Sequence, residues 1–135
     1  MHLNIYTDGA SRGNPGHAAI GVVIQDDASR LLKEISEYIG INTNNYAEYH
    51  AVLRALEEAK KLQADAVTLF SDSELICRQL TGKYKVKSNN IRPLFSKVIV
   101  LATQLKSFSV THIRREFNTH ADKLANMALD RQKKA

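Results

Sequence analysis

The chain contains 135 residues, of which 44% are hydrophobic and 24% are charged, and 19 Lys and Arg residues against 14 Asp and Glu give a formal net charge of +5. These values are typical of one globular domain over residues 1–135 and exclude an intrinsically disordered chain. No apolar run reaches the roughly 18 residues that a membrane span needs, so no membrane partner is expected. With Cys77 as the only cysteine and no signal-peptide pattern, we expect a cytoplasmic protein without disulfides.

The first part of the chain has the pattern of an antiparallel meander. Apolar and polar residues alternate over 3–7, which predicts a strand that ends before Asp8. The Gly-, Asn- and Pro-rich segment 10–16 predicts a tight loop. Further strands are predicted over 18–25 and 31–39, although the first residues of the latter would also suit the start of a helix.

The rest of the chain alternates helices and strands. Apolar residues recur at three- and four-residue steps over 44–62, which predicts an amphipathic helix. The later elements are a strand over 66–71, helices over 73–80 and 91–105, a strand over 108–113 and a helix over 120–129, followed by a frayed tail over 130–135. This order predicts an α/β fold in which helices flank a mixed sheet.

The positive charge is concentrated in residues 75–115. This sector holds nine basic side chains and no acidic one, whereas the remainder has a balance of −4. A basic sector beside an acidic remainder indicates a polyanionic partner, and a solvated basic face is the alternative.

Four acidic residues lie on four separate predicted elements. Asp8 and Asp72 each follow a predicted strand, Glu48 lies one turn into the first long helix, and Asp122 lies in the first turn of the last helix. If the two strands are parallel neighbours, all four carboxylates meet at one edge of the sheet. Each alone has a simpler interpretation as a turn, a cap or a solvated residue.

Clustered carboxylates repel one another unless a cation neutralises them. Hard divalent cations such as Mg²⁺ prefer oxygen ligands, so these acids predict a Mg²⁺ site that also binds phosphate oxygens. The five histidines lack the spacing of zinc ligands, and zinc is not expected.

The motifs around these acids resemble the ribonuclease H type 1 family. The matching segments are TDGASRGNPG at 7–16, TNNYAE at 43–48, SDSE at 71–74 and NTHAD at 118–122. The resemblance covers essentially the whole chain and implies a ribonuclease H-like fold with a five-stranded mixed sheet, three antiparallel strands followed by parallel ones. It also implies an endonuclease that cuts the RNA strand of RNA/DNA hybrids and leaves 5′-phosphate and 3′-hydroxyl ends.

By this resemblance, Asp8, Glu48, Asp72 and Asp122 hold two Mg²⁺ or Mn²⁺ ions. Two such cations activate a water and stabilise the leaving oxygen of an in-line phosphoryl displacement. The resemblance also implies RNA contacts in the 9–16 loop and the α-helical segments that follow, and a DNA phosphate contact. The implied substrate-binding residues are Gly9, Asn14, Asn44, Asn45 and Glu74 for the RNA strand, Thr43 and Asn118 for a DNA phosphate, and Lys85 and Lys87 for charge pairing with phosphates of the hybrid.

Two departures from the family pattern affect binding and acid chemistry. Many members carry a basic, tryptophan-bearing protrusion that clamps the hybrid, but this chain has no Trp. Most members also have a His-containing loop before the last helix. In this chain, the connection between the last strand and that helix is too short for such a loop. Arg115 is a candidate catalytic cation in its place, and His112 and His120 do not match cleanly. Weaker, salt-sensitive hybrid binding is expected.

Two other functions fit the same sequence. One is a weakly active or inactive RNA/DNA hybrid-binding module of the same fold. The other is a different nuclease of the wider superfamily, which the asparagine-rich loops disfavour because they suit contact with a 2′-hydroxyl. Nothing in the sequence requires more than a monomer.

Overall fold

Five strands form one mixed sheet in the computed structural model, which describes residues 1–134 apart from the side chain of Lys134. The sheet order is β3-β2-β1-β4-β5, with β1 antiparallel to β2, β2 antiparallel to β3, and β4 parallel to both β1 and β5. The predicted mixed sheet is therefore confirmed. The strands are β1 (His2–Gly13), β2 (Gly16–Gln25), β3 (Leu31–Asn42), β4 (Ala66–Ser71) and β5 (Ser107–His112).

Four α-helices flank the sheet at the predicted places in the chain. They are α1 (Asn44–Lys61), α2 (Glu74–Leu80), α3 (Arg92–Thr103) and α4 (Thr119–Lys134). A short 3-10 helix, Arg115–Phe117, precedes α4 and was not predicted. Within residues 1–134, no helix combines the length and the apolarity that a membrane crossing requires.

The predicted tight loop over 10–16 is wrong, because most of it belongs to a β-hairpin. Strands β1 and β2 stay paired as far as Gly13 and Gly16, so only Asn14 and Pro15 form the turn. Gly13 has a φ of 103°, a left-handed conformation that glycine adopts without steric cost. The chain therefore reverses at Asn14 and Pro15, and the residues on either side of them join the ladder.

The predicted end of the last helix at Leu129 is also wrong. Helix α4 continues to Lys134, and Ala135 lies outside the described residues. Two side chains in the expected tail are tied to the sheet. Arg12 Nη2 donates to Asp130 Oδ1 at 2.7 Å, and Arg131 Nη2 donates to the Ser36 carbonyl at 3.0 Å. These contacts oppose the fraying that a free helix end would show.

The core lies on both faces of the sheet. On one face, α1 and α3 pack over a large cluster that includes Leu3, Ile5 and Leu69 from the central strands. On the other face, α4 covers a narrower strip at Ala19 and Val23. The two helices that carry acidic motif residues, α1 and α4, therefore reach the central strands from opposite sides.

Two glycines set how closely these helices approach the sheet. A Cβ atom on Gly9 would lie 2.2 Å from the backbone carbon of Ala47 in α1, and one on Gly21 would lie 1.9 Å from the Ala121 carbonyl oxygen in α4. Because real Cβ contacts are never this short, any side chain at these positions would push the helix away. Gly21 pairs with Asp8 across β1 and β2, so α4 is brought close to the strand at Asp8 itself.

We expect Gly21→Ala to displace α4 and to lower the free energy of unfolding by about 3 kcal/mol, at the upper end of overpacking costs. Gly40→Ala is the control, since a Cβ there meets nothing within 4 Å. Only the left-handed φ of 87° disfavours alanine at this position, at a cost of about 1 kcal/mol. Urea unfolding of both variants measures the difference. Equal losses in the two variants would contradict the close approach of α4.

Candidate active site

The site begins where β1 continues past the end of β4. The parallel ladder between these strands runs from His2 and Ala66 to Tyr6 and Phe70. Asp8 and Asp72 each lie two residues beyond the last pair, so their carboxylates leave the sheet at the same end. This confirms the expected side-by-side placement, with one correction: Asp8 lies inside β1, not after its end.

Glu48 reaches the same point from α1. It lies in the second turn of that helix, and its Oε1 accepts a hydrogen bond from the backbone N–H of Gly9, the residue after Asp8. Carboxylate oxygens of Asp8, Glu48 and Asp72 all lie within 4.8 Å of one another. Asp8 and Glu48 are 7% and 8% exposed, so two of the three acids are buried.

Asp122 completes the set from the first turn of α4. It lines the same cleft, of about 190 Å³, as the other three acids. Asn126, one turn later, donates from Nδ2 to Asp122 Oδ1 at 3.2 Å and to its carbonyl at 3.0 Å, and so restrains this side chain. The predicted gathering of four acids from four elements is what the structure shows. Sequence reasoning missed Asn126, although its i+4 spacing from Asp122 was a usable signal.

The electrostatics of the cluster favour bound cations. Burial, and then the charges of Glu48 and Asp72, raise the pKa of Asp8 to about 9. Burial raises the pKa of Glu48 to about 7, although the Gly9 N–H opposes this shift by stabilising the carboxylate. Without a cation, protons are needed to relieve the repulsion. An all-oxygen donor set with this excess of negative charge fits hard divalent cations.

The predicted contact of Asn118 with a DNA phosphate is wrong, because this side chain is only 1% exposed. Its Nδ2 instead donates to the Thr7 carbonyl at 2.9 Å and to Asp72 Oδ2 at 3.1 Å. Asn118 therefore belongs to the scaffold of the carboxylate cluster. Its burial follows from the packing of α4 on the sheet, which the sequence pattern does not reveal.

The hairpin turn and the start of α1 lie together beside the acids. Asn14 Oδ1 accepts from the Asn44 N–H at 3.1 Å, and Thr43 Oγ1 caps α1 by accepting from the Tyr46 N–H at 3.1 Å. Asn44 is exposed and lines the acidic cleft, and Asn45 next to it is half-buried. These contacts explain the residues as turn and cap formers, and the RNA contacts of the asparagines stay predictions.

The other predicted substrate residues lie on α2 and the segment after it. Glu74 is exposed and forms a 2.8 Å ion pair with Arg78, whose guanidinium lies 5.3 Å from the centre of the Tyr84 ring. Tyr84 therefore packs locally against Arg78. Lys85 and Lys87 are exposed in the same segment, free of ion pairs among the described residues.

Arg115 and the nearby histidines occupy different places. Arg115 lines the acidic cleft, and its charge lowers the pKa of Glu48, against the larger effect of burial. His120 instead contacts Glu34 on β3, and His112 Nε2 lies 3.3 Å from the Asp72 carbonyl oxygen. Of the three candidates, Arg115 is the one whose side chain faces the carboxylate cluster.

Comparisons with known proteins give one consistent family. Residues 6–128 match the family described as Reverse transcriptase-like. The chain is 41% identical over 128 residues to the Ribonuclease HI of Halobacterium salinarum, covering 95% of this chain and 64% of that protein. The crystal structure of RNase H1 from this archaeon superposes with a TM-score of 0.93, covering 96% of this chain and 98% of the solved one.

Two further relatives extend the comparison. LC11-RNase H1, isolated from compost by a metagenomic approach, was solved in complex with an RNA/DNA hybrid. It is 44% identical, with a TM-score of 0.90 over 96% of this chain and 98% of that one. A bifunctional protein of Mycobacterium tuberculosis is 40% identical over 131 residues, 96% of this chain. The chain spans only 36% of the length of that mycobacterial relative.

We expect the metal-free protein to lose stability as the pH rises toward 9, and Asp8→Asn to weaken this dependence. The unfolded chain releases the Asp8 proton near pH 3.8, whereas the folded protein keeps it until about 9. The free energy of unfolding therefore falls between these values, by at most ~1.4 kcal/mol per pH unit for one group.

Urea unfolding in EDTA between pH 5 and pH 9 measures this slope. Asp130→Asn is the matched control, because Asp130 is an exposed acid that pairs with Arg12 outside the cluster. In Asp130→Asn, the free energy of unfolding should depend on pH as steeply as in wild type. An Asp8→Asn slope equal to that of wild type would contradict the buried, protonated state of Asp8.

Proposed function

The chain belongs to the ribonuclease H family, and from this premise we propose that it is a metal-dependent endonuclease that hydrolyses the RNA strand of RNA/DNA hybrids. The observation that carries the proposal is the carboxylate cluster. Asp8, Glu48 and Asp72 lie within 4.8 Å of one another, and Asp122 lines the same cleft. The relative solved with an RNA/DNA hybrid supports the substrate class.

Asp8, Glu48, Asp72 and Asp122 would hold two divalent cations, Mg²⁺ or Mn²⁺. When bound, such ions supply an activated water and neutralise charge on the scissile phosphate. Hydrolysis then leaves 5′-phosphate and 3′-hydroxyl ends. The chain itself contributes the oxygen ligands and their fixed positions. Because Asp8 and Glu48 have raised pKa values, they must lose protons before they can serve as ligands, which favours activity at alkaline pH.

Among the residues that the structure describes, Arg115 is the one with a positive side chain that lines the acidic cleft. We place it against a non-bridging oxygen of the scissile phosphate or of the product phosphate, where a fixed cation stabilises developing charge. The connection that contains it, from Ile113 to Asn118, is mostly the 3-10 helix and has no histidine. Arg115 thus stands in the part of the fold where other members carry a His-containing loop.

Substrate choice depends on the surfaces on either side of the acids. Asn14, Asn44 and Asn45 lie beside the cleft, and their side-chain amides suit hydrogen bonds to a 2′-hydroxyl, which distinguishes RNA from DNA. Thr43, whose hydroxyl caps α1, would contact a phosphate of the DNA strand. Glu74 lies on the α2 side, and the exposed Lys85 and Lys87 follow it. These lysines suit backbone phosphates, and such contacts weaken as salt rises. Action as a monomer in the cytoplasm stays a prediction from the sequence.

We expect Asp72→Asn to reduce Mg²⁺-dependent cleavage of a labelled RNA/DNA hybrid by at least ~10²-fold, since one charged metal ligand is lost. The exposed-acid variant Asp130→Asn should cleave at the wild-type rate. Parallel reactions with double-stranded RNA and a DNA duplex, each with and without EDTA, define the substrate. Metal-independent cutting, or full activity in Asp72→Asn, would contradict the site.

The same assay separates the enzyme from a binding module. If wild type binds the hybrid but cuts none of the three duplexes with Mg²⁺ or Mn²⁺, the chain is a hybrid-binding module and the proposed activity is wrong.

For Arg115→Ala we expect kcat to fall by about 10²-fold, the scale of one lost charge-stabilising group, with a smaller change in KM. The neighbouring Arg114→Ala is the matched control, because Arg114 is exposed and does not line the cleft. Steady-state kinetics on the hybrid give both constants. A kcat for Arg115→Ala equal to that of Arg114→Ala would remove Arg115 from the chemistry.

A further inference from the structure

The side chain of Asn118 is enclosed between two acceptors of the carboxylate cluster. Its Nδ2 lies 2.9 Å from the Thr7 carbonyl oxygen and 3.1 Å from Asp72 Oδ2. Because both partners can only accept hydrogen bonds, the NH₂ group must face them, and the orientation of the amide is fixed. The side-chain oxygen is then buried, and no donor reaches it among the described residues.

The backbone of the same residue begins α4. The Asn118 carbonyl accepts from the Asp122 N–H at 3.2 Å, the first helical hydrogen bond of that element. One residue therefore contacts the strand that carries Asp8, the residue that follows β4, and the helix turn that carries Asp122. The only acid outside this connection is Glu48, which the Gly9 N–H holds.

A buried amide with an unpaired oxygen is a poor packing residue. An apolar side chain of similar size would fill the same space without an unsatisfied acceptor. The feature of Asn118 that leucine cannot supply is the pair of N–H donors, one of which lies on a carboxylate that faces the cluster. The geometry thus favours a role for these donors over a role for the volume of the side chain.

We propose that Asn118 is a positioning residue that holds the Asp72 carboxylate in one rotation and thereby sets the affinity of the cluster for divalent cations. This role replaces the contact with DNA and rests on the proposed metal-dependent function. A donor on Oδ2 prevents the carboxylate from turning and keeps one fixed set of lone pairs toward the cleft. Asn118 acts through Asp72 and does not touch the substrate.

The test measures Mn²⁺ binding without substrate, by the electron paramagnetic resonance signal of free Mn²⁺. Asn118→Leu keeps the branched shape of the side chain and removes the donors, and Asn118→Ala removes both. We expect both variants to bind Mn²⁺ about ten- to a hundredfold more weakly than wild type, as for other residues that support metal ligands. In both, the KM for the hybrid should stay near the wild-type value.

Gln79→Leu is the matched control. Gln79 is a second buried amide, 8% exposed, whose Nε2 donates to the Lys85 carbonyl at 3.3 Å, and whose Oε1 accepts from the Tyr49 hydroxyl, without contact to the four acids. Its loss should lower the urea midpoint while Mn²⁺ affinity stays unchanged. Wild-type Mn²⁺ affinity in Asn118→Leu would overturn the proposal, as would an equal loss of affinity in Gln79→Leu.

These outcomes are distinct from those of the proposed function. If wild type binds Mn²⁺ but cuts no hybrid, the proposed activity fails, and the affinities of the Asn118 variants still decide the positioning role. If wild type binds no Mn²⁺, the positioning role is overturned. If circular dichroism shows that Asn118→Leu does not fold, the Mn²⁺ affinity of Asn118→Ala tests the positioning role. Its urea midpoint is then compared with that of Gln79→Leu, to separate a loss of affinity from a loss of stability.

Discussion

The carboxylate site depends on a mismatch in length between two parallel neighbours, because β1 continues to Gly13 while its ladder with β4 ends at Tyr6. Backbone groups that leave a ladder need new partners when they are buried. Just past this point, the Thr7 carbonyl accepts from Asn118 and the Gly9 N–H donates to Glu48. These two peptide groups flank Asp8, so the hydrogen bonds that satisfy the strand also collect the acids around it.

The same arrangement places negative charge where the fold alone gains nothing from it. Asp8 and Glu48 are buried, and both pKa values are raised, so the metal-free protein holds protons that an unfolded chain would release. A bound cation would take the place of these protons in neutralising the cluster, so cation binding would release protons. Stability and activity are therefore linked through one cluster, and ligand binding should stabilise the fold.

Much of this arrangement could be predicted from the sequence, because it follows from local patterns. Asp8 and Asp72 each follow an apolar strand pattern, and parallel neighbours bring such ends together. The role of Asn118 could not be predicted, because it depends on how closely α4 packs against Gly21. This tertiary distance produces no periodic pattern in the sequence. The hairpin at 10–16 was missed because its turn-forming residues also tolerate an extended backbone, and the pairing of β1 with β2 decides between the two.

Anomalous diffraction from crystals soaked in Mn²⁺ shows directly whether these four acids bind divalent cations. We expect anomalous peaks inside the cleft, in contact with carboxylate oxygens of Asp8, Glu48, Asp72 and Asp122, and their loss in crystals of Asp8→Asn. A cleft without an anomalous peak, in crystals that bind Mn²⁺ only at exposed acids such as Asp27, would show that the four acids are not a cation site.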